Sequence, residues 1–173
     1  MTPAYPDEIL RRFVRRLRQR LQVSDAACFI APGEYDIFAP SATDRAYIVS
    51  TTGASFNPDD DQTGRYLVET SYINVTCFNR LHAFDESGRA DSLVSRNGLN
   101  LFEMKRRVLN ALINWDMRLP HEEDIEIAST VKATRSARPE FMKSNENGVY
   151  AGFLTITFSV SYALDICTEL PDE

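Results

Sequence analysis

The feature that most constrains the fold is a strict alternation near the C-terminal end of the chain. Every even position of this stretch is apolar, namely Leu154, Ile156, Phe158, Val160, Tyr162, Leu164 and Ile166. The odd positions from Thr155 to Ser161 carry hydroxyl side chains. A period of two predicts a half-buried β-strand and not a helix. Extended over 154–166, such a strand spans about 43 Å, roughly twice a common strand. We therefore expect it to bend, to extend as a hairpin arm, or to pair with a neighbouring subunit.

Length and composition indicate one globular domain over 1–173. A chain of 173 residues with 43% hydrophobic and 25% charged residues can bury a sizeable core. No apolar run approaches the roughly 18 residues of a membrane span, and the N-terminus lacks the pattern of a secretory signal. We therefore expect an intracellular protein without a membrane partner, whose three cysteines, Cys28, Cys77 and Cys167, are reduced and buried.

A first amphipathic helix is predicted over 7–22. Its apolar residues recur at three- and four-residue spacings that place them on one stripe, and they are Leu10, Phe13, Val14, Leu17 and Leu21. Pro6 precedes the helix, and Asp7 and Glu8 suit the positive end of its dipole. We expect this helix to pack its stripe on the core.

The same helix concentrates positive charge. It carries six arginines against two acids, a balance of +4, so the rest of a chain of net charge −6 carries −10. Helical geometry sets Arg11, Arg15 and Arg18 along one flank and Arg12, Arg16 and Arg20 along the other. The helix could face phosphates or an acidic partner, or it could be a solvated face whose arginine stems cover apolar surface. The second interpretation, including contact with acidic parts of its own assembly, is favoured because the flanks offer no aromatic side chains for base stacking.

The middle of the chain alternates strands and polar loops. We predict a small hairpin or strand over 26–38, a short strand over 46–51, a polar loop over 53–64 and a long strand over 65–80. Within the long strand either face could look inward, since Ile73, Val75 and Cys77 alternate with Tyr72, Asn74 and Thr76.

The polar loop contains a near match to a calcium-binding loop. Asp59, Asp61, Thr63 and Gly64 fit the first half of the pattern, but Thr70 stands where the bidentate acid is required. A solvated acidic loop without a metal is therefore expected.

The second half begins with a long connection over 81–97, which contains Asp85 and Arg89, followed by a second amphipathic helix over 99–117. Loops of this length often bind partners. The residues expected to point inward from the helix are Leu101, Phe102, Val108, Leu109, Leu112 and Ile113. Trp115, near the helix end, is expected to be a core or interface anchor.

A long antiparallel hairpin is predicted to close the fold. It joins strands over 124–134 and 149–166 through a polar connection that ends in the favoured turn pair Asn147-Gly148. The tip would carry Arg135, Arg138 and Lys143. The fold class is therefore α+β: an antiparallel or mixed sheet with a long C-terminal hairpin, packed against two amphipathic helices.

No pattern for catalysis or cofactor binding stands out. The two histidines, His82 and His121, fall in predicted loops without a partner at metal-ligand spacing, and the chain lacks the glycine-rich phosphate-binding motifs. We therefore expect no enzyme, no catalytic residue, no cofactor and no metal. A hydrolase or transferase whose site residues meet only in space is the alternative from the enzyme class.

The order of elements resembles the tail terminator, or tail-to-head joining, proteins of tailed bacteriophages and related contractile particles. The likeness spans 7–166 and rests on the segments DEILRRFVRRLRQRL, YINVTCFNR, LFEMKRRVLNALINW, IASTVKATR and GFLTITFSVSYALDI. It implies a structural virion protein that forms a homohexameric ring, caps the tail tube at its head-proximal end and docks the tail on the connector or neck protein. It also implies assembly in the host cytoplasm.

In that setting the sheet would line or flank the ring, and DNA would slide through the channel without sequence-specific binding. The contacts expected with other subunits or partners are Arg11, Arg15 and Arg18 on the first helix, Asp85 and Arg89 in the long loop, and Arg135, Arg138 and Lys143 at the hairpin tip. A neck or tail-completion protein remains an alternative, because the loops at 59–61 and 81–97 are longer than a minimal terminator needs. A nucleic-acid-binding adaptor that uses the arginine helix is a second one.

Overall fold

The computed structural model describes residues 6–31, 44–56, 66–81, 100–117, 131–143 and 150–165. The elements in chain order are α1 (Pro6–Leu21), a 3-10 turn (Asp25–Ala27), β1 (Cys28–Ile30), β2 (Arg45–Phe56), β3 (Tyr66–Leu81), α2 (Leu101–Leu112), β4 (Lys132–Ser136), β5 (Glu140–Lys143) and β6 (Tyr150–Asp165). The two predicted helices and the two long strands are therefore present, although the second helix, expected over 99–117, ends at Leu112. The loop residues Asp59, Asp61, Asp85, Arg89, His82 and His121 lie outside the described residues.

The six strands form one mixed sheet in the order β1-β2-β3-β6-β4, and β5 pairs with β6 beside β4. β1 runs parallel to β2, and all other pairs are antiparallel. β3 and β6 form the centre and pair without interruption from Tyr66 opposite Asp165 to Leu81 opposite Tyr150. The α+β class with a mixed sheet and two helices is confirmed.

The inner face of the sheet, which packs on both helices, carries the main core. The alternation that dominated the sequence is confirmed along β6, where its five apolar even positions from Leu154 to Tyr162 are buried. On β3, where the sequence left open which face looks inward, Ile73, Val75 and Cys77 face the same core. α1 contributes Ile9, Phe13, Val14, Leu17 and Leu21, and α2 contributes Leu101, Met104, Val108, Ala111 and Leu112. Each fully buried large side chain stabilises the fold by about 1.5–3 kcal/mol.

The outer face of the sheet carries half-buried hydroxyl and amide side chains on β3 and β6, beside a small buried apolar cluster of Ala46, Ile48, Phe78 and Ala151. Hydrogen bonds cross between β3 and β6 from Thr70 to Ser161 at 2.8 Å and from Thr76 to Thr155 at 2.9 Å. The hydroxyl of Thr157 donates to Asn74 Oδ1 at 2.8 Å. These side chains form hydrogen bonds with one another only when β3 and β6 pair in the observed register. They therefore help to fix that register between two long strands.

Three sequence-based expectations are wrong in detail. The loop expected over 53–64 does not begin at Gly53, because β2 continues to Phe56 around a bulge between Thr51 and Gly53, where Gly53 has a φ of +120°. That φ is one that L side chains rarely adopt, so glycine at 53 fits the bulge. Phe102 and Ile113 are not core residues, since they are 47% and 43% exposed.

The prediction that Arg135, Arg138 and Lys143 lie at the tip of one long hairpin is also wrong. Arg135 lies within β4 opposite Thr157, Lys143 belongs to β5, and Arg138 lies between these two strands. β4 and β5 are thus two short strands that both border β6, in place of the single partner strand expected over 124–134. The part of that range before residue 131 lies outside the described residues.

No helix among the described residues is both long enough and apolar enough to cross a membrane.

Candidate assembly surfaces

The arginines of α1 divide into those that hold the fold together and those that face outward. Arg12 belongs to the first group: it is only 7% exposed, its Nε donates to Glu8 Oε1 at 3.1 Å, and its Nη1 donates to the carbonyl of Met117 at 3.0 Å. A charge-assisted hydrogen bond of this kind stabilises more than a neutral one. Arg12 therefore ties α1 to the segment that follows α2.

Arg16 makes a second tie, to the last turn of α2 and to Trp115 after it. Its Nε donates to the carbonyl of Ala111 at 3.2 Å, and its guanidinium lies 5.3 Å from the ring centroid of Trp115. Trp115 in turn meets Phe13 edge to face with centroids 5.9 Å apart. Burial is the first cause that lowers the pKa of Arg16, and the nearby charge of Arg20 is the second. Trp115 was expected to be a core or interface anchor, and the structure packs it, partly buried, against the main cluster.

Arg18 joins α1 to the neighbouring edge of the sheet. Its Nε donates to the carbonyl of Cys28 at 2.9 Å, and its Nη1 forms an ion pair with Asp25 Oδ1 at 3.0 Å. A contact from α2 to α1 is made by Arg107, which donates a hydrogen bond to the carbonyl of Leu21, the last residue of α1, at 2.9 Å. A cation at that position also complements the negative end of the helix dipole.

Two grooves flank α1 and share a ridge made by Arg15 and Gln19. The α1–β1 groove, of about 400 Å³, is lined by Arg11, Val14, Arg15, Arg18, Gln19 and Ile30. The α1–α2 groove, of about 440 Å³, is lined by Arg12, Arg15, Arg16, Gln19, Asn114, Trp115, Asp116 and Met117. Arg11, Arg15 and Arg18, the flank expected to contact a partner, therefore line one groove together.

A second exposed surface lies at the far end of the sheet, where β2, β3 and β6 continue as a three-stranded extension. Among the described strands, β1 borders β2 only from Tyr47 to Val49, so the remainder of β2 has β3 on one side alone. Phe56 and Val68, on adjacent strands of this extension, are 50% and 39% exposed. Large apolar side chains beside an open strand edge are typical of surfaces that other chains cover.

The potentially reactive groups of the core are held in their neutral form. Burial raises the pKa of the Cys28 thiol to about 11 and that of the Cys77 thiol to about 12. Burial likewise raises the pKa of Tyr47 to about 12 and that of Tyr162 to about 12. The Tyr162 hydroxyl shares a hydrogen bond of 3.0 Å with Ser71. Since the thiolate is the nucleophile, these cysteines are structural.

Within the described ranges, no three His, Cys, Asp or Glu side chains come together as metal ligands.

The predicted contact residues do not form one surface. The register places Arg135 on the outer face of the sheet with Thr157, whereas α1 and its arginine flank pack on the inner face. Ile30 and Phe56 had no distinctive sequence signal, because each is a single apolar residue at the end of a strand. Gln19 was missed for a similar reason, since a lone glutamine on a charged helix has no distinctive spacing.

Comparisons with known proteins add little beyond this geometry. No family model and no curated protein matches the chain. Among solved structures, one similar chain belongs to a structure described as the virion of a native gene transfer agent particle. The two chains are 14% identical and superpose with a TM-score of 0.38 over 91% of this chain and 99% of the other. A likeness at this level carries no conclusion about this protein.

Proposed function

We propose that this chain is a structural virion protein that acts by assembly and not by catalysis. The more specific form of the proposal is a tail terminator: a homohexameric ring at the head-proximal end of a phage tail tube, joined to the connector or neck protein. This more specific form is supported by the resemblance of five sequence segments to the tail terminator family. DNA would pass through the ring without sequence-specific binding, which suits the −10 that the chain carries outside residues 7–22.

The observation that carries the proposal is a difference in length: the central strands of the sheet are longer than the helices that pack on it. β3 and β6 pair over 16 residues, which at the strand rise spans about 53 Å. α1 has 16 residues and α2 has 12, so they span only about 24 and 18 Å. The strands therefore run on past either helix, and the extension exposes Phe56 and Val68. Such an extension gains most when a neighbouring subunit covers it.

The arginines of α1 bear on the rival that the chain is a nucleic-acid adaptor. Arg12, Arg16 and Arg18 donate to backbone carbonyls of this chain, so half of the six arginines serve its own fold. A phosphate-binding helix would direct most of its guanidinium groups to solvent. This observation favours the assembly proposal over the adaptor.

The function is tested by producing the particle without this chain. A terminator is required to stop tube growth, so its loss is expected to give tail tubes of uncontrolled length and unjoined heads in electron micrographs. Tubes of normal length beside unjoined heads would instead support a neck or tail-completion protein. Normal, complete particles would overturn the structural role altogether, and complementation with the intact chain is the control.

A further inference from the structure

A strip of positive charge follows β4 along one border of the sheet. It consists of Lys132, Arg135 and Arg138, which we call the β4 strip. We propose that the β4 strip contacts the phosphodiester backbone of duplex DNA without reading its sequence. This assignment rests on the proposed function for the presence of DNA, and it deepens that function by naming the surface that the DNA meets.

The register of β4 on β6 places two of these cations side by side. Lys132 lies opposite Ser159 and Arg135 lies opposite Thr157, two outward-facing positions that are two residues apart on β6. The bulge between them keeps both on the face of the sheet that carries neither helix. They are therefore about 7 Å apart along the strand. Every residue of β4 is exposed, and so is Arg138.

The cations of the β4 strip are not neutralised by the part of the chain that the structure describes. Three arginines of α1 donate to backbone carbonyls, whereas no side chain of the strip forms an ion pair or a hydrogen bond with a described residue. The one acid in the sequence 132–140 is Glu140, which lies opposite Phe153. That position is four residues along β6 from Thr157, or about 13 Å. The strip therefore offers positive charge to an anionic partner.

The surroundings of the strip favour a phosphate backbone over an acidic protein segment. Among the described residues, the large apolar side chains that are exposed all lie outside 131–140. Protein interfaces centre on such anchors, whereas phosphate contacts require only cations and polar donors. The two cations on β4, its bulge and Pro139 are also features that protect a sheet edge against an added strand.

A hydroxyl group beside the strip supplies a further donor. Ser159, directly opposite Lys132, is half-buried on the outer face, and its hydroxyl forms no hydrogen bond with any other described side chain. Serine and threonine hydroxyls are common donors to phosphate oxygens. Lys132 and Ser159 can therefore share one phosphate, while Arg135 reaches the next.

So few contacts make the binding weak. The β4 strip neutralises two or three phosphates, fewer than the roughly 6–10 contacts of strongly salt-dependent DNA-binding proteins. The net charge of −6 lowers the affinity further. DNA held in this way can slide, as passage through a tail requires.

The test measures binding of the purified chain to mixed-sequence duplex DNA by fluorescence anisotropy between about 50 and 200 mM salt. The parent is expected to bind with a log–log salt slope of about −2 to −3, equal for duplexes of different sequence. The pair Lys132→Gln with Arg135→Gln is expected to weaken binding about tenfold and to reduce the slope by about 2.

The matched control is the pair Arg15→Gln with Arg20→Gln, which removes the same charge from exposed positions of α1 and is expected to change binding much less. Unchanged urea midpoints show that both variants fold. Absence of binding by the parent at the lowest salt overturns the inference. Equal losses in the two variants also overturn it, because they reflect overall charge alone.

Two further outcomes overturn the inference in favour of another partner. A larger loss in the α1 variant supports the adaptor that uses the arginine helix. Loss of binding to a poly-glutamate peptide in the β4 variant, with DNA binding unchanged, supports an acidic protein. A chain that never forms rings, yet binds DNA through the β4 strip, contradicts the proposed ring and leaves this inference standing.

Discussion

At the scale of single residues, Arg12 shows how a surface-type side chain becomes part of a core. In the sequence it is one of six similar arginines, and helical spacing alone placed it on a flank with Arg16 and Arg20. Its actual role depends on the carbonyl of Met117, 105 positions away. No local pattern encodes such a partner, so the sequence could predict the charge of the helix but not its division into buried and exposed arginines.

We expect Arg12→Met to destabilise the fold by about 1–3 kcal/mol, because it keeps the apolar stem but leaves the Met117 carbonyl without its charged donor. Arg20→Gln is the control and is expected to change the free energy of unfolding by less than about 0.5 kcal/mol. Urea unfolding at neutral pH measures both. Equal effects of the two substitutions would show that the tie between α1 and Met117 does not stabilise the protein.

The buried thiols and phenols predict a loss of stability at high pH. The pKa values of Cys28 and Cys77 are raised from a usual 9.0 to about 11 and about 12, and those of Tyr47 and Tyr162 from 10.0 to about 12. A raised pKa in the folded state means that the unfolded chain releases its protons first. The stabilisation is complete below about pH 9 and declines as the pH rises toward 12.

Unfolding free energies measured in urea between pH 7 and 11 test this expectation. They should fall above about pH 9, and the fall should be shallower in Cys77→Ala, which removes one of the four groups. A free energy that rises over this interval, or a Cys77→Ala slope identical to that of the parent, would contradict the assignment of Cys77 as a buried neutral thiol.

At the scale of elements, predictability followed the strength of the periodic pattern. The alternation along β6 settled both its conformation and its buried face, because a period of two leaves no other regular structure. The stripe of α2 was less certain. Leu101, Met104, Val108 and Leu112 form its buried line, while Ile113 leaves the helix with a ψ of 135°. A spacing rule that assumes a longer helix cannot detect that ending.

The N-terminus of α2 offers an element-scale test. The Asn100 side chain accepts a hydrogen bond from the backbone N–H of Glu103 at 2.8 Å, which satisfies one of the donors that a helix start leaves open. We expect Asn100→Ala to reduce the free energy of unfolding by about 0.5–2 kcal/mol.

The matched control for this substitution is Asn110→Ala, which changes the same residue type at an exposed position inside α2. Because alanine favours helix interiors, this change is expected to be neutral or slightly stabilising. Thermal unfolding of both variants is the measurement. A larger loss at residue 110 than at residue 100 would contradict the assignment of Asn100 as the cap.

At the scale of the whole molecule, the α+β class and the two long strands were predictable, whereas strand order and the extended β2 were not. Order depends on pairings such as Tyr47 with Cys28 on one side and Cys77 on the other, which join three distant segments. The contact residues proposed from the sequence stay a prediction, and only their placement in the fold is known. Arg11, Arg15 and Arg18 do share a groove, but Arg135 was misplaced because a break in the partner strand of β6 has no signature in its sequence.

The mass and symmetry of the purified protein test whether this chain works by assembling into a ring. We would measure mass by light scattering coupled to gel filtration, with and without tail tubes, and symmetry by electron microscopy of the same fractions. If the chain assembles as proposed, we expect six-fold rings, free in solution or at one end of the tubes. A monomer at every concentration, with no binding to tube ends, would contradict it.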